Sequence, residues 1–437
     1  MTLPVAARQT AFRLVDTARG SRTRPAVEEI TRTLARPGDP ASAELHARRL
    51  RGMLVHAATT ARAFAGCSPD DLASYPVTDK NIIRERLDDY RSSAHTDGKL
   101  RRVSTSGSTG TPFASFQDPG KVARNSADTI AFARRIGYDV GAPVYYFTVW
   151  PARRGLAAVK QRLQNVTPVD VTRLDADQVA QVARRMSRAG DGANLIGYAS
   201  AIEQFCVLVR EQGISLPSGA VNSVLATSEA PSPGLAALVE SVLRRPLSVR
   251  YSNIENGILA QRQPGASSYQ LNTASYHVEL LDLDTDGPAA PGEPGRIVVT
   301  DLFNRAMPFV RYDTGDVGYW HVGADGQADT SRLAGIEGRR SDLIYDADDA
   351  LLSTHFVAKV MNEYVDVRQY QLVQTGQGAY TVRLNAPQDV ARDERIAADF
   401  RRELGSGAQL TIEHTDEIPL LASGKRRRII SNWSPDR

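Results

Sequence analysis

Between residues 119 and about 250, short apolar runs alternate with stretches of helical periodicity, and few folds accommodate this alternation. The apolar runs are PVYYFTVW, NLIGYA, VNSVLAT and LSVRYS, and helical stretches such as SAIEQFCVLVREQG separate them. Strands that alternate with helices predict a parallel sheet with helical crossovers. We therefore expect an α/β fold.

The pattern changes on both sides of this region. Residues 1–75 place apolar side chains at helical spacing and predict helices. After residue 268, YHVELLDLD and GRIVVTDLF predict two strands joined by a turn rich in proline and glycine, and hence a small antiparallel β-region. Beyond about 340, a helix, a hairpin, a second helix and a strand predict an α+β unit. We expect a large domain at 1–340 and a small one at 341–437.

Composition excludes several classes of protein. The 437 residues include 53 basic and 50 acidic side chains, a net charge of +3, which argues against a dedicated nucleic-acid-binding protein. No apolar stretch approaches the roughly 20 residues that span a bilayer, and the first residues show no signal-peptide pattern, so we expect a cytoplasmic protein. Cys67 and Cys206 lie too far apart to suggest a disulfide framework or a CxxC zinc pattern.

The strongest local signal is the segment STSGSTGTP, residues 104–112, called here the glycine-rich loop. Gly107 and Gly110 permit a tight turn whose backbone N–H groups, with the neighbouring hydroxyls, can surround a polyphosphate. The pattern GxxxxGK[ST] is absent, so the segment does not indicate a P-loop NTPase. By composition alone, a flexible surface linker explains the segment equally well.

Three further segments place charged residues in predicted turns. In RYDTGD, residues 311–316, a carboxylate after a strand can accept both hydroxyls of a ribose, although an ordinary Asp–Gly turn is the commoner interpretation. EGRRSDLI, residues 337–344, is by itself a charged surface turn. PLLASGKRRRII places Lys425 in a glycine turn, where its ammonium can neutralise a phosphate in a transition state. A basic cluster for nucleic acid is the alternative, weakened by the balanced charge.

Taken in this order, the segments resemble the adenylate-forming superfamily of acyl-CoA synthetases and adenylation domains, and most of all its phenylacetate–CoA ligase and coenzyme F390 synthetase branch. The resemblance runs from about 70 to 430 and includes YPVTDKNIIRER, similar to the branch's P-x-T-x-K element. It implies a large N-terminal domain with parallel α/β sheet layers and a small, mobile α+β C-terminal domain. The hinge would be Ser341 or Asp342.

The resemblance also implies a site for ATP and Mg²⁺. Asp316 and Arg339 would reach the ribose, Tyr251 would stack on adenine, Glu255 would bind Mg²⁺, and Lys425 would be the catalytic lysine. Read alone, Tyr251 is a core aromatic and Glu255 a surface carboxylate. The expected nucleotide-binding residues are Ser106, Gly107, Ser108, Thr109, Gly110, Ser228, Glu229, Ala230, Tyr251, Ser252, Asn253, Asp316 and Arg339.

The segment RYSNIENG, residues 250–257, departs from the superfamily's Y-G-x-T-E motif. Ser252 stands where glycine is usual, and Ile254 stands where a threonine or serine would contact the phosphates. The pocket for the acid is expected among the strand ends of residues 140–260, with strand core as the alternative for its aromatic residues. Its expected lining is Tyr145, Tyr146, Phe147, Tyr198 and Ile254.

The resemblance implies an AMP-forming ligase that activates a small aromatic carboxylic acid with ATP and transfers it to CoA. A second hypothesis keeps adenylation but uses an amine or a carrier-protein thiol as acceptor, or nitrite as the activated oxyanion. A third is a non-catalytic nucleotide-binding protein. No nucleic-acid or membrane partner is expected, and homodimers are common in the resembled branch.

Overall fold

The computed structural model describes residues 4–18, 20, 23–95, 100–105, 113–149, 161, 163–188, 192–232, 234–339, 343–352, 355–361, 363–364, 366–419 and 427–433. The N-terminal region is helical, as predicted. Asp39 caps its longest helix by accepting a hydrogen bond from the Ser42 N–H, and Pro40 occupies the first turn, where its missing N–H costs nothing. The helices of this region are α1 (Val5–Ala18), α2 (Thr23–Ala35), α3 (Pro40–Thr60), α4 (Lys80–Glu85) and α5 (Leu87–Tyr90).

Within the described residues, one sheet of eleven strands organises the chain up to 339. Its order is β10-β11-β12-β13-β9-β8-β7-β6-β5-β3-β4; the half from β4 to β7 is parallel and the half from β7 to β10 is antiparallel. A separate hairpin joins β1 (Arg101–Thr105) to β2 (Phe113–Gln117). The sheet strands are β3 (Val144–Thr148), β4 (Val166–Asp170), β5 (Ala193–Tyr198), β6 (Val221–Thr227), β7 (Leu247–Asn253), β8 (Gly257–Arg262), β9 (Tyr269–Leu271), β10 (Tyr276–Leu281), β11 (Pro294–Asp301), β12 (Tyr312–Val322) and β13 (Ala328–Arg339).

Helices cover the parallel half of the sheet. They are α7 (Ala176–Arg188), α8 (Ala199–Glu211) and α9 (Leu235–Leu243), whereas α6 (Pro119–Arg134) packs against α2 and against β8 in the antiparallel half. Phe147 on β3 packs edge-on against Phe205 on α8, with ring centroids 5.1 Å apart, in the largest apolar core of the described residues. The predicted α/β fold class is confirmed. The alternating strands and helices build a parallel sheet in which the apolar faces of the strands and of the helices are buried against each other.

Three details differ from the sequence-based expectation. The small antiparallel β-region is not a separate layer, because β8 pairs with β7 and continues the same sheet. The segment 312–316, expected as a turn, begins strand β12 and pairs with β11 and β13. The strand β4 (Val166–Asp170) was not predicted, since its sequence VTPVD is short and contains a proline.

The C-terminal region has its own sheet and core. Among the described residues, four strands lie in the order β18-β17-β16-β19, and β14 pairs with β15. Leu372, Val382 and Phe400 belong to a core cluster that is distinct from the core of the large sheet. The predicted helices, hairpin and strand are present. The elements are β14 (Ile344–Tyr345), β15 (Leu351–Leu352), α10 (His355–Met361), β16 (Gln369–Gly376), β17 (Ala379–Asn385), α11 (Val390–Leu404), β18 (Gln409–His414) and β19 (Ile429–Ser431).

In the described part of the chain, none of the helices combines the length and the apolar character needed to cross a bilayer.

Candidate active site

Glu255 lies in the turn between β7 and β8, where it is 7% exposed. The Tyr312 hydroxyl donates a 2.8 Å hydrogen bond to Oε1, whereas Oε2 is buried without a hydrogen-bond partner. Burial is the main reason that the pKa of Glu255 is raised, and the Tyr312 hydroxyl opposes this change. One oxygen is therefore held in place, and the other remains available to a cation.

Tyr251, Asp316 and Arg339 form a cluster on neighbouring strands. The Tyr251 hydroxyl donates a 2.7 Å hydrogen bond to Oδ2 of Asp316, and Nε of Arg339 lies 3.3 Å from Oδ1. Asp316 on β12 faces Arg339 on β13 in the strand register. Burial and the Asp316 carboxylate raise the pKa of Tyr251 well above its ordinary value, so this tyrosine is a neutral donor.

The segment around the P-x-T-x-K element docks on strand β12. The Thr78 N–H donates to the Arg311 carbonyl at 3.0 Å, and the Asp313 N–H donates to the Thr78 carbonyl at 2.7 Å. This docking brings Lys80 within electrostatic reach of Glu255 and Asp316. Burial and the positive charge of Arg339 lower the pKa of Lys80, and the two carboxylates oppose them. Lys80 belongs to an element that is recognisable in the sequence, but it was not among the expected site residues.

The first two residues of the glycine-rich loop, Ser104 and Thr105, end strand β1, and Thr105 is the register partner of Phe113, the first residue of β2. Gln117, at the end of β2, donates a 3.0 Å hydrogen bond from Nε2 to the Glu255 carbonyl, which ties the hairpin to the turn that carries Glu255. Several predicted site residues lie outside the described residues. They are Ser106, Gly107, Ser108, Thr109, Gly110, Ser341, Asp342 and Lys425.

Ser228, Glu229 and Ala230, three of the expected nucleotide-binding residues, follow the carboxyl end of β6. Ser228 has a φ of +70°, a backbone conformation that residues other than glycine rarely adopt. Oε2 of Glu229 accepts a 2.9 Å hydrogen bond from the Ser200 N–H in the first turn of α8. A carboxylate at that position is favoured by the helix dipole, and it holds the loop against the ends of β5 and β6. Ala230 lies exposed beside it.

The other residues of RYSNIENG are placed by the same turn. Oδ1 of Asn253 accepts a 2.8 Å hydrogen bond from the Asn256 N–H, which closes the turn. Ser252 pairs with Ile258 in the β7–β8 register. The Ile254 side chain is 53% exposed, so the apolar residue that replaces the usual hydroxyl projects toward solvent.

Strand alternation divides the expected pocket residues between two faces of the sheet. Tyr145 and Phe147 are 5% and 0% exposed and belong to the apolar core, so the structure corrects their expected place in the acid pocket. Tyr146 has the opposite orientation. It shares its face with Tyr198, because Tyr146 is the register partner of Ile196, which lies two residues from Tyr198 on β5.

A buried ionic network supports the Glu255 turn from behind. Nζ of Lys121 lies 2.6 Å from Oδ2 of Asp301 and donates to the Tyr276 hydroxyl at 2.8 Å, and Lys121 and Asp301 are fully buried. The Tyr276 hydroxyl in turn donates to the Asn256 carbonyl, next to Glu255. These residues are widely separated in sequence, and no motif signalled them.

The donor set fits Mg²⁺. Among the described residues no cluster of three or more His, Cys, Asp or Glu side chains is arranged to hold a metal. Mg²⁺ is commonly bound by one or two carboxylates together with substrate phosphates, so the unpaired Oε2 of Glu255 is a suitable single protein ligand.

The chain is similar to known adenylate-forming proteins. A phenylacetate–coenzyme A ligase of Thermus thermophilus is 23% identical over 432 residues, which cover 87% of this chain and 91% of that protein. Among solved structures, a 2-hydroxyisobutyryl-CoA ligase in the postadenylation state has a TM-score of 0.68, 15% identity and 89% coverage of each chain. An amide bond synthetase from Marinactinospora thermotolerans has a TM-score of 0.54 and 18% identity, covering 75% of this chain and 67% of its own.

These comparisons establish the class of fold. The chain has the fold of the adenylate-forming ligases, and the resemblance to phenylacetate–CoA ligases inferred from the sequence is confirmed. No family model matches the chain.

Proposed function

We propose that this protein is an ATP-dependent, AMP-forming acid–CoA ligase. The observation that supports this most is the cluster of Tyr251, Asp316 and Arg339 beside Glu255, whose buried Oε2 is unpaired. A carboxylate that accepts from a tyrosine and an arginine is suited to accept two ribose hydroxyls. A second carboxylate with a free oxygen is suited to a metal ion that accompanies phosphates.

The proposed reaction has two steps. A carboxylate oxygen of the acid attacks the α-phosphorus of ATP, a P–O bond forms, and pyrophosphate leaves. The CoA thiol then loses its proton and attacks the acyl carbon of the acyl-AMP, and AMP leaves. Because the substrates supply every reacting atom in this scheme, the protein acts by positioning and by neutralising charge.

Each proposed role uses a group of this chain. Asp316 binds the ribose, and the Tyr251 ring lies beside it for the base. Glu255 would hold Mg²⁺ through its unpaired Oε2, and the ion would supply charge neutralisation on the phosphates. Lys80 adds a positive charge within electrostatic reach of Glu255 and Asp316. Lys425 and the glycine-rich loop take the catalytic and phosphate-binding roles that the resemblance implies.

The proposed reaction also requires a movement of the C-terminal unit. The unit 341–437 rotates about Ser341 or Asp342 between the two steps, because one closed site cannot serve both.

CoA is the proposed acceptor, and an amine or a carrier-protein thiol is the alternative. The 2-hydroxyisobutyryl-CoA ligase has been solved with an acyl-AMP and CoA, and the amide bond synthetase shares the fold, so both acceptors deserve a test. We also expect a homodimer in the cytoplasm.

The test is pyrophosphate release with ATP and Mg²⁺ against a panel of aryl and alkyl acids and nitrite, each with and without CoA. Acid-dependent release that turns over only with CoA supports the ligase. Release that needs an added amine, or that occurs with nitrite, selects the alternative chemistry. ATP binding without release from any acid or nitrite contradicts an adenylating function.

A further inference from the structure

Arg250 occupies an unusual position at the carboxyl ends of the parallel strands. Arg250 on β7 is the register partner of Thr227 on β6, which pairs in turn with Tyr198 on β5. The three side chains therefore lie on one face of the sheet, the face that also carries Tyr146. In open α/β sheets, ligands bind outside the carboxyl ends of the strands.

The Arg250 guanidinium is held by neutral groups. Its Nε and Nη2 both donate to Oε1 of Gln261 at 3.1 Å, and Nε2 of Gln261 donates to the Phe132 carbonyl on α6. The head group is thus oriented by a fully buried amide. An arginine has five N–H donors, so these two bonds leave further donors for a ligand.

No carboxylate of the described residues pairs with Arg250. Burial lowers its pKa to about 10, and the favourable influence that opposes burial comes from Tyr146. Two arginines that are more deeply buried than Arg250 have acidic partners: Arg124 contacts Glu29 and Arg296 contacts Asp313. Residues 150–160, which follow β3 in the sequence, contain no aspartate or glutamate.

A partly buried cation without an acidic partner among the described residues is costly, and a ligand that supplies the missing charge would offset this cost. The reacting carboxylate of the acid is consumed at the α-phosphate and does not provide a lasting partner. We propose that the acid substrate carries a second anionic group, a carboxylate in the simplest case, and that Arg250 binds this group. The inference rests on the proposed ligase function and replaces a simple aromatic acid with a dicarboxylic acid.

The first test uses the wild-type protein. Pyrophosphate release is measured for dicarboxylic acids of three to six carbons and for carboxyphenylacetates, each against its monomethyl ester and the monocarboxylic acid of equal length. We expect kcat/KM for at least one diacid to exceed that of its monoester by roughly 100-fold, because a site built for a charged group rejects an analogue that lacks it. Equal or better activity with the monoesters and monoacids overturns the inference but leaves the ligase function intact.

The second test uses variants at Arg250. Arg250→Met should lower kcat/KM for the preferred diacid roughly 100-fold, leave KM for ATP unchanged and reduce discrimination against the monoester. Arg250→Lys should retain part of the preference. Arg262→Met, which removes an arginine stacked on Tyr269, is the matched control and should change none of these values. Unaltered discrimination in folded Arg250→Met contradicts the proposal; if this variant does not fold, the wild-type comparison decides.

Direct binding separates this inference from the proposed function. If no acid supports pyrophosphate release, the ligase proposal fails, and diacid binding is then measured by calorimetry with the wild-type protein and Arg250→Met. Binding of the diacid, and not of its monoester, to the wild-type protein alone supports the anion site. Equal binding to both proteins, or none to either, overturns it.

Discussion

The hydroxyl of Tyr312 donates a 2.8 Å hydrogen bond to Oε1 of Glu255, and Oε2 of the same carboxylate is buried without a partner. Tyr312 thus fixes the carboxylate without occupying both of its oxygens. Gln117 fixes the same residue through its backbone carbonyl. A group held in this way is ready to bind a cation with little loss of side-chain entropy.

Tyr312→Phe should lower the rate of adenylation about 10-fold and raise the Mg²⁺ concentration needed for half-maximal rate, because a hydrogen bond to a charged group is worth roughly 1.5–3 kcal/mol. It should also change the pH profile. Glu255 acts as the carboxylate, so activity falls as the pH falls through its pKa. Loss of the hydroxyl raises that pKa further, and the acidic limb should move to higher pH. The measurement is pyrophosphate release against pH and Mg²⁺.

The matched control for Tyr312→Phe is Tyr380→Phe. Tyr380 is 2% exposed, and its hydroxyl donates to the Tyr345 carbonyl in the C-terminal core. This variant should lose stability without moving the acidic limb. An unchanged limb in Tyr312→Phe would contradict the role assigned to the Tyr312–Glu255 bond.

Asp316→Asn should raise KM for ATP about 10-fold or more, because an amide accepts more weakly than a carboxylate and loses the charge that attracts Arg339. The change is measured by titrating ATP at saturating acid. Asp325→Asn, in the exposed turn between β12 and β13, is the control and should leave KM unchanged. The ribose assignment fails if both variants bind ATP as the wild type does.

Lys425→Ala should slow adenylation at least about 100-fold. This is the size of effect expected when one hydrogen-bond donor that stabilises charge in the transition state is removed. The midpoint of thermal unfolding should stay unchanged. Arg401→Ala, which removes an exposed positive charge on α11, is the control and should not change the rate of adenylation. Single-turnover formation of acyl-AMP measures the step directly. Normal adenylation by Lys425→Ala would exclude this lysine as the catalytic one.

Lys121→Met should lower the free energy of unfolding by about 3–5 kcal/mol, because it leaves Asp301 buried without its cationic partner. Adding Asp301→Asn removes the uncompensated charge and should restore part of the loss, since an asparagine oxygen can still accept from the Phe303 N–H. Denaturant unfolding measures both variants. A loss below 1 kcal/mol for the single variant would mean that this ion pair does not stabilise the fold.

Stability should fall as the pH drops from about 6.5 to about 4. Burial, with the neighbouring His46, lowers the pKa of His277 to about 4, from an ordinary value of 6.5. The unfolded chain therefore takes up a proton in this interval that the folded chain refuses, which costs up to about 3 kcal/mol. The midpoint of thermal unfolding is measured across this interval for the wild type and for His277→Asn. The midpoint should fall more steeply with decreasing pH in the wild type, and an equal dependence on pH in both proteins would contradict the assignment.

Much of the architecture was predictable because it depends on local patterns. The runs around Val144, Ala193, Val221 and Leu247 formed the expected strands, since apolar β-branched residues between helices favour a buried parallel sheet. The short strand at Val166 was missed because a proline weakens its β-pattern. The motif residues Tyr251, Asp316 and Arg339 were identified from their segments, yet nothing local showed that they contact one another.

The sequence by itself determined the fold class, the order of the elements and the segments that resemble the adenylate-forming enzymes. Those properties follow from hydrophobic period and turn chemistry, which act over a few residues. The tertiary structure decided which groups meet. Strand register set Tyr146 and Arg250 on one face and sent Tyr145 and Phe147 into the core, and docking of the segment at Thr78 brought Lys80 to the site. Such placements depend on contacts between residues far apart in the chain, and no local pattern records them.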